Sequence, residues 1–188
     1  MKYLFTSGNE LQIGLDQITE HNISRIGYDL DLSFWDTSNV HSMIGMFYNY
    51  NKSIASSSLS NWDVSKVRNM NFIFSDSTFN QNISDWDVSN VTHMIDMFNN
   101  SSFNQNISDW DVSNVTTMRS MFINSTFNQN ISDWDVSNVT DMGSMFSYSP
   151  FNQDLSIWNV TNVTYCYNFD MNTANWTLPK PNFTNCTP

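Results

Sequence analysis

The stretch WDVSNVTHMIDMFNNSSFNQNISD, residues 86–109, decides how the rest of the chain is read, because it returns almost unchanged as WDVSNVTTMRSMFINSTFNQNISD at 110–133. It returns again as WDVSNVTDMGSMFSYSPFNQDLSI at 134–157, and WDVSKVRNMNFIFSDSTFNQNISD at 62–85 precedes it. The tryptophans at 62, 86, 110, 134 and 158 are therefore 24 residues apart, and a self-similar period of that length marks a stack or array of repeated units. The unit opening at Trp35 reaches the next Trp three residues late, through the longer stretch YNYNKSIASSSLSN at 48–61. An insertion of that kind is absorbed most easily in a surface loop.

The apolar residues fall in fixed columns. In the 86–109 unit and the residues just before it they are Ile83, Trp86, Val88, Val91, Met94, Met97, Phe98 and Phe103. The first four have the spacing of a leucine-rich-repeat strand, which predicts a short strand over 85–89 with Trp86 and Val88 inward and Asp85, Asp87 and Ser89 outward. Val91, Met94, Met97 and Phe98 then follow at intervals of three, three and one, which predicts about two turns of helix or 3₁₀ helix. The fold class expected is a leucine-rich-repeat-like solenoid of 24-residue coils, with short parallel strands on one face and short helical turns on the other. Residues 32–164 form five units in this reading, 1–31 cap one end, and 165–188, with Pro179, Pro181 and Pro188, cap the other. Nine of the eleven Met residues lie in the two Met columns, so they read as core filler and not as metal ligands.

The 188 residues carry 18 acids against seven bases, a formal net charge of -11. The bases are scattered singly, so the basic stripe expected of a nucleic-acid binder is missing. No run of about 18 apolar residues is present to span a membrane. The first 14 residues, MKYLFTSGNELQIG, lack the apolar core of a signal peptide, so an export signal is not recognised in this chain.

WDVSNVTxMxxMFxxSxFNQNIS resembles the BspA-type bacterial surface-protein repeat family over about residues 32–165. The resemblance implies a leucine-rich-repeat-like fold used for adhesion or protein recognition at a cell or virion surface, and it brings no catalytic residues with it.

Candidate sites follow from the columns. Asp85, Asp109 and Asp133 form one acid ladder, and Asp63, Asp87, Asp111 and Asp135 form a second. Units stacked as in a sheet lie about 4.8 Å apart, so like charges meet at close range and must be relieved. Three readings stay open: a solvated edge whose carboxylates accept turn N–H bonds, a docked protein or glycan partner, and Ca²⁺ as a guest cation. Tyr48 and Tyr50, in the irregular loop, are a second candidate patch. Cys166 falls in a Met column and Cys186 in the tail, so a disulfide between them would tie the tail over the core. No cofactor is implied, His21, His41 and His93 have no ligand spacing, and nucleophile and phosphate-loop motifs are absent, so a non-enzymatic recognition module is expected. The alternative is an architectural subunit of a larger particle without a ligand of its own.

Overall fold

The computed structural model describes residues 32–33, 35–51, 59–173 and 175–188. Successive 24-residue units lie one upon the next in register. Five isolated parallel bridges mark one column along the stack, running Ser42 to Asn69, His93, Thr117, Asp141 and Tyr165 in turn.

The elements inside a unit differ from those expected. Among the described residues there is no helix, and parallel pairing is confined to the isolated bridges, so the chain is not a leucine-rich-repeat solenoid of strands and helices. Residues 85–89 form no strand: Trp86 N–H bonds Ile83 O at 3.2 Å and Val91 N–H bonds Val88 O at 2.8 Å, both closing local turns. The ladder between units lies instead in the segment expected to be helical. Met94, Asp96, Phe98 and Asn100 donate to the carbonyls of Thr117, Arg119, Met121 and Ile123 at 2.9–3.1 Å. In the next unit Met118, Ser120, Phe122 and Asn124 donate to Asp141, Gly143, Met145 and Ser147 in the same way. The intervening N–H groups of Met121, Ile123 and Ser125 turn back to Met118, Ser120 and Phe122 at 3.2–3.3 Å. Alternate donors thus serve the neighbouring unit and the local turn, and the i to i−4 pattern of an α-helix never forms.

The physical reason is a pair of left-handed residues, four positions apart, in each described unit. Asp96, Asn100, Ser120, Asn124, Ser144 and Tyr148 have φ between 50° and 58°. A right-handed helix cannot pass through such a residue. The three, three, one spacing buries the same side chains in this run of turns as it would in a helix, so the burial pattern alone does not separate the two.

The core is a set of stacked columns. The Trp, Val, Met and Phe residues of the repeated columns are buried in the described units, apart from the half-buried Trp35 at the first. Two Phe rings per unit stack within it, Phe98 on Phe103 at 4.2 Å, and each continues into the next unit, Phe98 on Phe122 at 5.6 Å and Phe103 on Phe127 at 6.2 Å. A buried indole N–H needs an acceptor. Trp62, Trp86, Trp110, Trp134 and Trp158 find theirs in the preceding unit, donating Nε1–H to the carbonyls of Leu32, Leu59, Ile83, Ile107 and Ile131 at 2.9–3.2 Å. Each Trp therefore fills the core and also pins the register.

At the C-terminal end residues 176–188 trace part of one further unit. Thr177 and Leu178 N–H bond Asn152 Oδ1, Leu155 N–H bonds Pro179 O at 2.9 Å, and Asn185 Nδ2 donates to Thr161 O. Phe183 packs on Phe169 at 4.9 Å, and a Cys166–Cys186 disulfide with Cα atoms 5.8 Å apart closes the tail over the core. Cross-linking across 20 residues constrains the unfolded chain by about 3 kcal/mol. The expected cap at 1–31 lies outside the described residues.

Candidate functional site

The acid ladders occupy the face that a strand was expected to form. What forms there is a column of side-chain turns. Asp36, Asp63, Asp87, Asp111 and Asp135 each accept the N–H of the Ser two residues on through Oδ1, at 3.0–3.1 Å. In the first four the same Ser also donates its hydroxyl, at 2.6 Å. This Asp-x-Ser bonding offers the backbone a local alternative to strand pairing. Asn159 with Thr161 continues the column one unit further. The Ser65 hydroxyl, then the Ser65 N–H, holds the Asp63 carboxyl below its ordinary range, and Ser137 does the same for Asp135. Like charges are thus stacked but internally hydrogen-bonded, with every member of the column exposed.

Asp85 and Asp109, in the other ladder, are exposed and accept only the long hydroxyl contacts of Ser84 and Ser108, at 3.3 Å; Asp133 is exposed beside them. A third column lies beside them: Asn82, Asn106, Asn130 and Asp154 accept the N–H of Ser84, Ser108, Ser132 and Ser156 at 2.9–3.0 Å. Its signal was the same Asx-x-Ser word. Among the described residues no group of three or more His, Cys, Asp or Glu converges to hold a metal ion.

The recurring Asn side chains belong to the scaffold. Asn90, Asn114, Asn138 and Asn162 donate to the carbonyls of Ser65, Ser89, Ser113 and Ser137 one unit back, at 2.7–2.8 Å. Asn80, Asn104 and Asn128 accept the N–H of Asn104, Asn128 and Asn152.

Tyr48 and Tyr50 do not form a surface pair. Tyr48 is exposed, but Tyr50 is buried edge-on against Phe47 at 5.9 Å. Of the insertion beyond them, residues 52–58 lie outside the described residues. A different patch breaks the repeat on the ladder face of the last two units, where Tyr148, Tyr165, Tyr167 and Met171 are exposed. The Arg119 guanidinium lies 5.4 Å from the Tyr165 ring centroid, and Gly143 leaves room for that ring, since a Cβ there would collide with Tyr165 Cε1.

A family model described as "Mycoplasma protein of unknown function, DUF285" matches residues 1–126 and again 99–184. The chain belongs to this family. DUF285 is the BspA-like repeat family, so the resemblance carried by the WDVSNVT words holds at the level of the family. That the family model matches twice, with both matches sharing 99–126, is what a repeated unit produces. No curated protein and no solved structure matches this DUF285 chain. Among its described residues no helix is long and apolar enough to cross a membrane.

Proposed function

We propose that this DUF285 chain is a non-enzymatic recognition module that binds a protein through its acidic face at a cell or virion surface. The observation that carries the reading is the Asp column at 63, 87, 111 and 135. Its carboxylates are exposed and regularly spaced, and each is already oriented by a bond from Ser65, Ser89, Ser113 or Ser137. A partner meeting such a row has little side-chain freedom left to freeze, which lowers the cost of association. A basic patch is the complementary surface, and its association should be steered by charge and weakened by salt.

The test is a binding comparison between the wild-type chain and the Asp87→Asn/Asp111→Asn/Asp135→Asn variant, which keeps an oxygen to accept the Ser bonds while removing three charges. Partners retained by the wild type and lost by the variant, with release on raising salt, are expected. Equal recovery by both proteins would remove the acidic face as the site and favour an architectural role.

A further inference from the structure

Every ladder segment but the last hands its alternate N–H groups to the unit that follows. Met142, Ser144, Phe146 and Tyr148 donate to the carbonyls of Tyr165, Tyr167, Phe169 and Met171 at 2.8–3.0 Å. One unit on, the homologous donors include Asn168, Asp170 and Asn172. The tail retraces the unit beneath it over 152–166, through its bonds with Asn152, Leu155 and Thr161 and the disulfide to Cys166, and beyond that it reaches the ladder segment through side chains, Phe183 on Phe169 and the Lys180 ammonium on the Asp170 carboxylate. Among the described residues no acceptor meets the N–H of Asn168, Asp170 or Asn172. The result is an open backbone edge bounded on one side by the tail.

The rim of this edge departs from the repeat. Tyr148, Tyr165, Tyr167 and Met171 are 53%, 43%, 62% and 40% exposed, where the preceding unit carries Asn124, Asp141, Gly143 and Ser147. Small or polar side chains have been replaced by large apolar ones beside unpaired donors. Such an edge is a ready template for another chain.

We propose that this edge binds an extended segment of another polypeptide, whose alternate carbonyls complete the ladder over Asn168, Asp170 and Asn172. The stack itself identifies the chemistry, since the equivalent donors of every earlier unit are satisfied by polypeptide carbonyls two residues apart. Main-chain bonds supply the affinity in this mode, and Tyr165, Tyr167 and Met171 select apolar side chains on the guest. The core behind is already plugged by Phe183 and the Cys166–Cys186 link, so the guest needs no buried anchor. A net charge of -11 disfavours an acidic guest.

The probe is an end-blocked peptide copying residues 117–125, TMRSMFINS, a ladder segment that carries one Arg and accepts at 117, 119, 121 and 123 within the stack. Amide exchange of the intact, oxidised protein is followed by NMR with and without it. Exchange at Asn168, Asp170 and Asn172 should slow several-fold at saturating peptide, while the exposed Asn159 is unaffected. Tyr167→Ser, at an exposed position, should weaken the peptide about tenfold without moving Tm. Unchanged exchange at all three amides would overturn the proposal. Protection that rises with protein concentration in the absence of peptide would also overturn it, naming a second copy as the occupant.

Discussion

At the scale of single residues the left-handed positions decide the backbone. One column holds Asn49, Asp76, Asn100, Asn124, Tyr148 and Asn172, and the other Gly45, Phe72, Asp96, Ser120, Ser144 and Asn168. Asn, Asp and Gly are the residues that tolerate this conformation, so most positions are locally content and Phe72, Ser120, Ser144 and Tyr148 are not. Ser120→Gly relieves the strain of one of these, with φ at 54°. It should raise stability by about 1 kcal/mol, a rise of roughly 2–4 °C in Tm for a chain of this size, whereas Ser120→Val should lower it. Asp96 is the one described carboxylate with the opposite problem to the Asp-x-Ser column. Burial pushes its pKa up, against the Asn99 amide bond at 2.8 Å and the nearby Arg119 charge. A raised carboxyl pKa means that the folded state holds the proton more tightly than the unfolded one. Its contribution is complete below the ordinary carboxylate range and is lost as pH rises through the folded pKa. Asp96→Asn, which keeps an acceptor for Asn99 and suits the left-handed backbone, should therefore stabilise the chain near pH 7. That gain should shrink toward about pH 4. Thermal melts across that range check the sign, and a gain independent of pH would refute the assignment to charge.

Turns and stacked rings, not helices and strands, are the elements of this molecule. Which side chains are buried was legible from the columns alone, because Trp86, Val88, Val91, Met94, Met97 and Phe98 recur at fixed offsets whatever backbone connects them. The backbone was not legible from the same spacing, since turns with two left-handed residues four positions apart reproduce the helical three, three, one pattern. The recurring Asn or Asp in the column of Asn100, at 49, 76, 124 and 172, was the available signal. The Asp63, Asp87, Asp111 and Asp135 carboxylates lie on the surface and accept turn N–H bonds, one of the readings the sequence left open, and the donor is the Ser two residues on. The Tyr165 and Tyr167 patch keeps the 24-residue period, so it stands out less than the insertion that holds Tyr48 and Tyr50. Trp is the element that joins packing to register, and Trp110→Phe separates its two contributions. The ring face remains while the Nε1 bond to Ile83 O, 3.1 Å long, is lost, and that carbonyl keeps only the Trp86 N–H. A cost of about 1–3 kcal/mol in chemical denaturation is expected, from the lost bond and the smaller ring together. A cost well under 1 kcal/mol would mean that water or a shifted unit replaces the bond.

For the molecule as a whole, the pairings 24 residues apart make it nearly one-dimensional, each unit touching the one before and the one after. Stability is then a sum over units and the interfaces between them. The Trp bond reaches one unit back, the ladder reaches one unit forward, and the Phe columns do both. The unit boundary is therefore arbitrary, and only the period matters. Excising residues 87–110 joins Trp86 to Asp111 and leaves every column intact, so the shortened chain should fold cooperatively with its near-UV tryptophan signal retained. Its denaturant m-value should fall by about one-eighth, since 24 of 188 residues are removed and m follows the surface exposed on unfolding. Excising only 99–110 removes half a period. Phe98 would then be followed by the Asp-x-Ser turn of the next unit, and the downstream ladder would face carbonyls from the wrong column. That chain should lose cooperative unfolding altogether. Equal behaviour of the two deletions would show that packing in this stack tolerates any register, and that neither the indole bonds nor the ladder specifies it.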